Sequence, residues 1–162
     1  MKRKLNPGLA VYLSALLLVV TVSWAISISA TGSWTEAVDE SDLAGPPGSD
    51  LNSTFESASD QISIDITETQ GDADEWLVSI KRVDTNWHAN LQLYAMRTSD
   101  GSGTGSISGG TAYKEVTTGN QSFFSGSGDR AGVGIQQKIT GVSIQLDSDT
   151  YSTTVYYTLI DM

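Results

Sequence analysis

The chain reads as an all-β protein, an antiparallel β-sandwich of about eight strands preceded by an N-terminal hydrophobic helix. Three observations lead there. Apolar residues recur at every second position from residue 62 onward, turn-forming residues interrupt them about every ten residues, and no stripe of helical period appears after residue 30.

The N-terminus joins a basic start, Lys2-Arg3-Lys4, to an apolar stretch over residues 9–22, followed by Ser23-Trp24-Ala25 and Ile28-Ser29-Ala30. That order is the pattern of a secretory signal, with cleavage expected after Ala25 or Ala30, Ala30 being the favoured site. The rival expectation is an uncleaved anchor, since residues 9–28 are long enough to cross a bilayer. A third option, a pilin-like leader cut after Gly8, puts Leu13 where type IV pilins usually carry Glu. Residues 1–30 are therefore assigned to a leader or anchor, 31–59 to an acidic extension rich in Ser, Gly and Pro, and 60–162 to the sandwich. Export implies a secreted or cell-surface location, with membrane contact only through the N-terminal segment.

Loss of residues 1–30 leaves six basic against nineteen acidic side chains, a formal charge of −13. Such a surface repels nucleic acid and anionic lipid. Cysteine is absent, so the core and the sheet hydrogen bonds must carry the fold in an oxidising compartment.

Each element follows from local pattern. The extension offers apolar side chains only at residues 33–38 and 51–55, enough for one or two short strands or none. Ile62, Ile64 and Ile66 alternate with Ser63, Asp65 and Thr67, then Trp76, Val78 and Ile80 with Leu77, Ser79 and Lys81. Alternation of this kind turns one face to a core and the other to water. Asp84-Thr85-Asn86 is expected to turn the chain into a third strand over residues 91–98. Residues 99–111, nearly all Gly, Ser and Thr, read as a long mobile loop. Strands are expected at 112–118, 121–125, 133–140, 142–146 and 151–160, which together describe a sandwich or jelly roll.

The run Leu146-Asp147-Ser148-Asp149-Thr150-Tyr151 leading into Ser152-Thr153-Thr154-Val155-Tyr156-Tyr157 resembles the tyrosine corner of immunoglobulin-like sandwiches. There an Asp-x-Tyr at a strand start lets the phenol bond back to the preceding turn. The resemblance implies structural roles for Asp149 and Tyr151, while Trp76 is expected in the core. Thr153 stands where antibody domains carry their second Cys. The ending, a small turn, then Tyr, then alternating Thr and Val, is similar to that of secreted fimbrial and spore-coat-type subunits.

Catalytic chemistry finds little to work with. His88 is the single histidine, and no Gly-x-Ser-x-Gly elbow accompanies it. Gly126-Ser127-Gly128-Asp129-Arg130-Ala131 matches a dinucleotide pattern formally, but neither follows a parallel-sheet strand nor opens a helix. Without thiols and with one imidazole, calcium is the only ion the donor set suits. Asp72-Ala73-Asp74-Glu75 and Asp147-Ser148-Asp149 lack EF-hand spacing and read as turn residues. No cofactor is expected. Asn52-Ser53-Thr54 and Asn120-Gln121-Ser122 are acceptor sequons in expected surface loops.

Assembly is better supported. From residue 132 to 160 the only charged residues are Lys138, Asp147 and Asp149, and residues 150–160 carry none. Edge strands are normally guarded by Lys, Pro or bulges, so an uncharged last strand is either central in its sheet or built to pair. In the second case the chain partners itself by strand pairing, with Trp34 and Val38 of the extension as anchors on a neighbour. The sequence expectation is thus a non-enzymatic structural subunit of a coat or filament, the alternative being a secreted module binding carbohydrate or another extracellular ligand.

Overall fold

A computed structural model describes residues 25–162. The expected N-terminal helix lies outside the described residues apart from its last few positions, and those belong to a strand. The chain forms β1 (Ser27–Thr31), β2 (Thr54–Glu56), β3 (Ile62–Thr67), β4 (Glu75–Asn86), β5 (Gln92–Arg97), β6 (Ser102–Gly103), β7 (Ile107–Gly109), β8 (Lys114–Glu115), β9 (Gln121–Ser127), β10 (Arg130–Thr140) and β11 (Ser152–Asp161). One 3-10 turn, Glu40–Asp42, is capped by Asp39, whose carboxylate accepts from the Ser41 amide at 2.8 Å.

All strand pairing is antiparallel. One sheet runs β1-β3-β10-β5-β8, with β2 and β6 also bonded to β10; the other runs β11-β4-β9-β7. The expected alternation decides which faces meet. Ile64 and Ile66 of β3, Trp76, Val78 and Ile80 of β4, and Val133 and Ile135 of β10 are completely buried in one core shared by the two sheets. Burying a side chain of this size contributes roughly 1.5–3 kcal/mol, so these few strands supply most of the cohesion of a chain without disulfides.

Several boundaries differ from the sequence expectation. β4 continues through Asp84-Thr85-Asn86, because β11 pairs with it as far as Ser152 opposite Asn86, and the turn moves to His88–Asn90, where the Leu91 amide bonds the His88 carbonyl at 3.0 Å. Residues 99–111 are not one plain loop: they place β6 against β10 and β7 against β9, one short strand in each sheet. The glycines there serve close approach. Gly105 has φ +74, and a Cβ on it would collide with the Ser127 carbonyl. Residues 142–146 form a turn instead of a strand, with Val142 almost buried. The extension joins the fold through β2, which pairs with β10, and folds back on itself at a bridge between Leu43 and Leu51. Across the boundary expected at Ala30, β1 runs without a break.

Candidate functional site

The outermost strand of the second sheet, β11, is ten residues long and bonds only β4; among the described residues its other edge has no partner. It is therefore an edge strand and not a central one. Thr153, Val155, Tyr157 and Leu159 face inward yet are only half-buried, whereas Tyr156 and Ile160 on the outer face are 48% and 41% exposed. An inward apolar row left half-covered means that the two sheets do not close over it.

The opposite wall of this gap comes from the other sheet. After β1 the chain turns at Gly32, with φ +114, and residues 33–38 run past β11 without belonging to any strand. The Gln61 side-chain amide donates to the Ser33 carbonyl, and the Trp34 indole packs against the core while its Nε1 donates to Glu36 Oε2 at 3.3 Å. Trp34 thus seats on its own domain. Between this strap and β11 lies a slot of about 330 Å³ walled by Ala30, Trp34, Ile62, Val155 and Tyr157. It opens into a wider cavity of about 770 Å³ walled by Trp87, Leu91, Ile139, Val142, Leu146 and Tyr151, with Val38, 40% exposed, at its mouth.

One residue walling this slot, Tyr157, carries an unsatisfied polar atom. The Tyr157 hydroxyl is buried without a hydrogen-bond partner, and burial pushes its phenol well above the usual range. A buried hydroxyl without a partner costs on the order of 1–3 kcal/mol relative to a bonded one. Its ring lies 6.4 Å from that of Phe123, tilted by 33°.

The floor of the cavity is held by turn carboxylates. Asp50 in the extension accepts from the Ile144 amide at 2.9 Å, the Leu51 amide at 2.8 Å and Ser143 Oγ at 3.1 Å, binding the extension to the 142–146 turn. Those bonds, the one from Ile144 foremost, hold its carboxyl below the ordinary carboxylate range. Tyr151 donates from its hydroxyl to the Asp147 carbonyl at 2.8 Å, with the His88 ring edge-on at 5.8 Å. Asp149 accepts from Asn86 Nδ2 at 3.1 Å and from the Thr150 amide at 2.7 Å, and its pKa is lowered, by the Asn86 bond first.

Trp76 is remote from this gap. It stands in the core, donates from Nε1 to the Gly128 carbonyl at 2.9 Å, and meets Phe124 edge-on at 6.0 Å. Asn52 and Asn120 are both exposed. Asp72 and Asp74 are occupied as turn acceptors, for Thr104 and for the Gln70 amide, and among the described residues no cluster of three or more metal-ligating side chains occurs. The Gly126–Ala131 run forms the tight β9–β10 connection, with Gly128 at φ +68.

Sequence reasoning did not find the Tyr157 hydroxyl. Its place in an alternating apolar row marks it as core, and nothing local reveals that its strand has a single neighbour among the described residues. A second unanticipated cluster lies on the first sheet, where the Lys138 ammonium sits 3.7 Å from the Tyr113 ring centroid and 5.3 Å from that of Tyr94. Burial, and then the Glu56 carboxylate, push the Tyr113 phenol up to about 12. Comparison with protein-family models, curated proteins and solved structures found no match.

Proposed function

We propose that this chain is an exported, non-enzymatic structural subunit of a cell-surface coat or filament, assembling with copies of itself by strand pairing at β11. The observation that carries the reading is the free edge of β11: ten residues, no charge before Asp161, and a half-covered inward face beside an open slot. Isolated edges of that length and composition invite pairing, and natural monomers guard against it.

Strand order supports the same reading. β1-β3-β10-β5 and β4-β11 would correspond to A-B-E-D and C-F of an immunoglobulin-like sandwich, with Tyr151 just before the F-position strand, near where a tyrosine corner belongs. β9 takes the C′ position, although it follows β5 in the chain. Among the described residues no strand takes the G position next to β11, the strand that walls the slot. An extended segment from a second copy would pair along β11 and cover Val155, Tyr157 and Leu159. The test is sedimentation velocity and electron microscopy of the exported protein over a range of concentrations. Polymers that resist dilution support the reading, and a monomer at every concentration removes it.

The cavity favours one alternative, a binding module for carbohydrate or another extracellular ligand, because Trp34, Trp87 and Tyr151 line it together. Saturable glycan-array binding by a monomer would select that alternative.

A further inference from the structure

Resting on the export part of that reading, we propose that the leader is removed after Ala25, so that the mature chain begins at Ile26 and keeps β1 as its first strand. The step is hydrolysis of one peptide bond: water adds to the Ala25 carbonyl, and the Ile26 nitrogen departs as the new α-ammonium.

The sequence presents two candidate sites, Ser23-Trp24-Ala25, small at both ends of the triplet, and Ile28-Ser29-Ala30, of which Ala30 is the one favoured above. The structure separates them by what each would remove. Every residue of β1 has a partner on β3, from Ser27 opposite Thr67 to Thr31 opposite Ser63. Ile26 and Ile28 also pack against the core. A cut after Ala30 takes all of this but Thr31. It would strip β3 of its outer neighbour, so that its backbone groups along Ser63–Thr67 lose the partners they bond in β1.

The strap adds a second reason. Trp34 reaches the slot because β1 delivers the chain to Gly32, which turns at φ +114 so close to Gln61 that any Cβ would strike the Gln61 carbonyl. A chain starting at Thr31 would have a mobile terminus one residue before that turn, and the wall of the slot would lose its anchor. A cut after Ala25 disturbs none of these pairs. Ala25 is exposed and lies outside β1.

Intact-mass measurement and N-terminal sequencing of the protein, produced as the full chain and recovered from the exported fraction, test the assignment. The expected product begins at Ile26, and Ala25→Leu, but not Ala30→Leu, blocks or displaces the cut. A product beginning at Thr31 overturns the inference while leaving export intact, whereas full-length chain confined to membranes overturns both. Chains purified with either terminus provide a readout independent of the protease. The version starting at Thr31 should unfold at clearly lower denaturant than the one starting at Ile26, and equal midpoints would count against the role assigned to β1.

Discussion

The centre of the molecule and its β11 edge are built from the same kind of sequence and end up in different states. Trp76, Val78 and Ile80 on β4 alternate with polar residues and are wholly buried, because β9 and β11 flank them and β3 and β10 cover them. Val155, Tyr157 and Leu159 on β11 alternate just as strictly and stay only partly buried, because among the described residues only β4 lies beside them. Alternation therefore states which side chains are meant for an interior. It does not state whether one chain supplies that whole interior.

The sharpest way to break the comparison is truncation on both sides of it. Trp76→Ala removes a fully buried ring, its edge-on contact with Phe124 and its bond to Gly128, and should cost about 3–5 kcal/mol in chemical denaturation. Leu159→Ala, on the partly covered row, should cost the isolated subunit only about 1–2 kcal/mol, since that side chain is incompletely buried. In assembled material the second loss should grow toward that of a core leucine. Equal costs in the isolated subunit would mean that β11 is already closed.

The two inward tyrosines of the last segment offer a finer contrast. Tyr157→Phe deletes a hydroxyl that bonds nothing, so the isolated subunit should be unchanged or more stable by up to ~1 kcal/mol. Tyr151→Phe deletes the bond to Asp147 and should lower the melting temperature, while Tyr156→Phe on the solvent face should not. A loss on Tyr157→Phe in the monomer would show that its hydroxyl has a partner within the chain.

Acid sensitivity gives the smallest effect. Asp39, Asp50, Asp129 and Asp149 all have pKa values lowered by hydrogen bonds to the charged carboxylate, from Ser41, Ile144, Thr69 and Asn86 respectively in first place. A depressed folded pKa favours the folded state above the unfolded value and loses that contribution as pH falls through the folded one. Thermal stability should hold at pH 5–7 and decline below about pH 4. Asp50→Asn should flatten that decline and loosen the cavity floor, seen as faster hydrogen exchange in residues 142–146.

How much of this was legible in the sequence depended on whether a residue's neighbours lie within its own strand. Ile62 to Ile66 and Trp76 to Ile80 announce their buried face through a period that each strand carries alone. The apolar residues Val142, Ile144 and Leu146 carry the same period, yet form a turn, because Asp50, nearly a hundred residues earlier, captures the Ser143 hydroxyl and the Ile144 amide. Ser102–Gly103 and Ile107–Gly109 pair because glycine lets their backbones approach β10 and β9 closely, and a Gly/Ser run looks the same when it does not. The slot at β11 was foreshadowed by the absence of charge over residues 150–160. Its position between β11 and the Trp34 strap required the sheet order, which no local pattern contains.

The proposed pairing of β11 with another copy requires that its edge be unguarded. Lysines at Thr154 and Thr158, on the outer face of that edge, test it most directly, because surface substitutions of this kind typically shift subunit stability by no more than ~0.5 kcal/mol while guarding the edge. Sedimentation velocity of the exported protein and of the Thr154→Lys/Thr158→Lys variant at matched concentrations is the measurement. The account predicts fast-sedimenting polymers for the natural chain and a folded monomer for the variant. Identical sedimentation of the two, whether both monomeric or both polymeric, would contradict it.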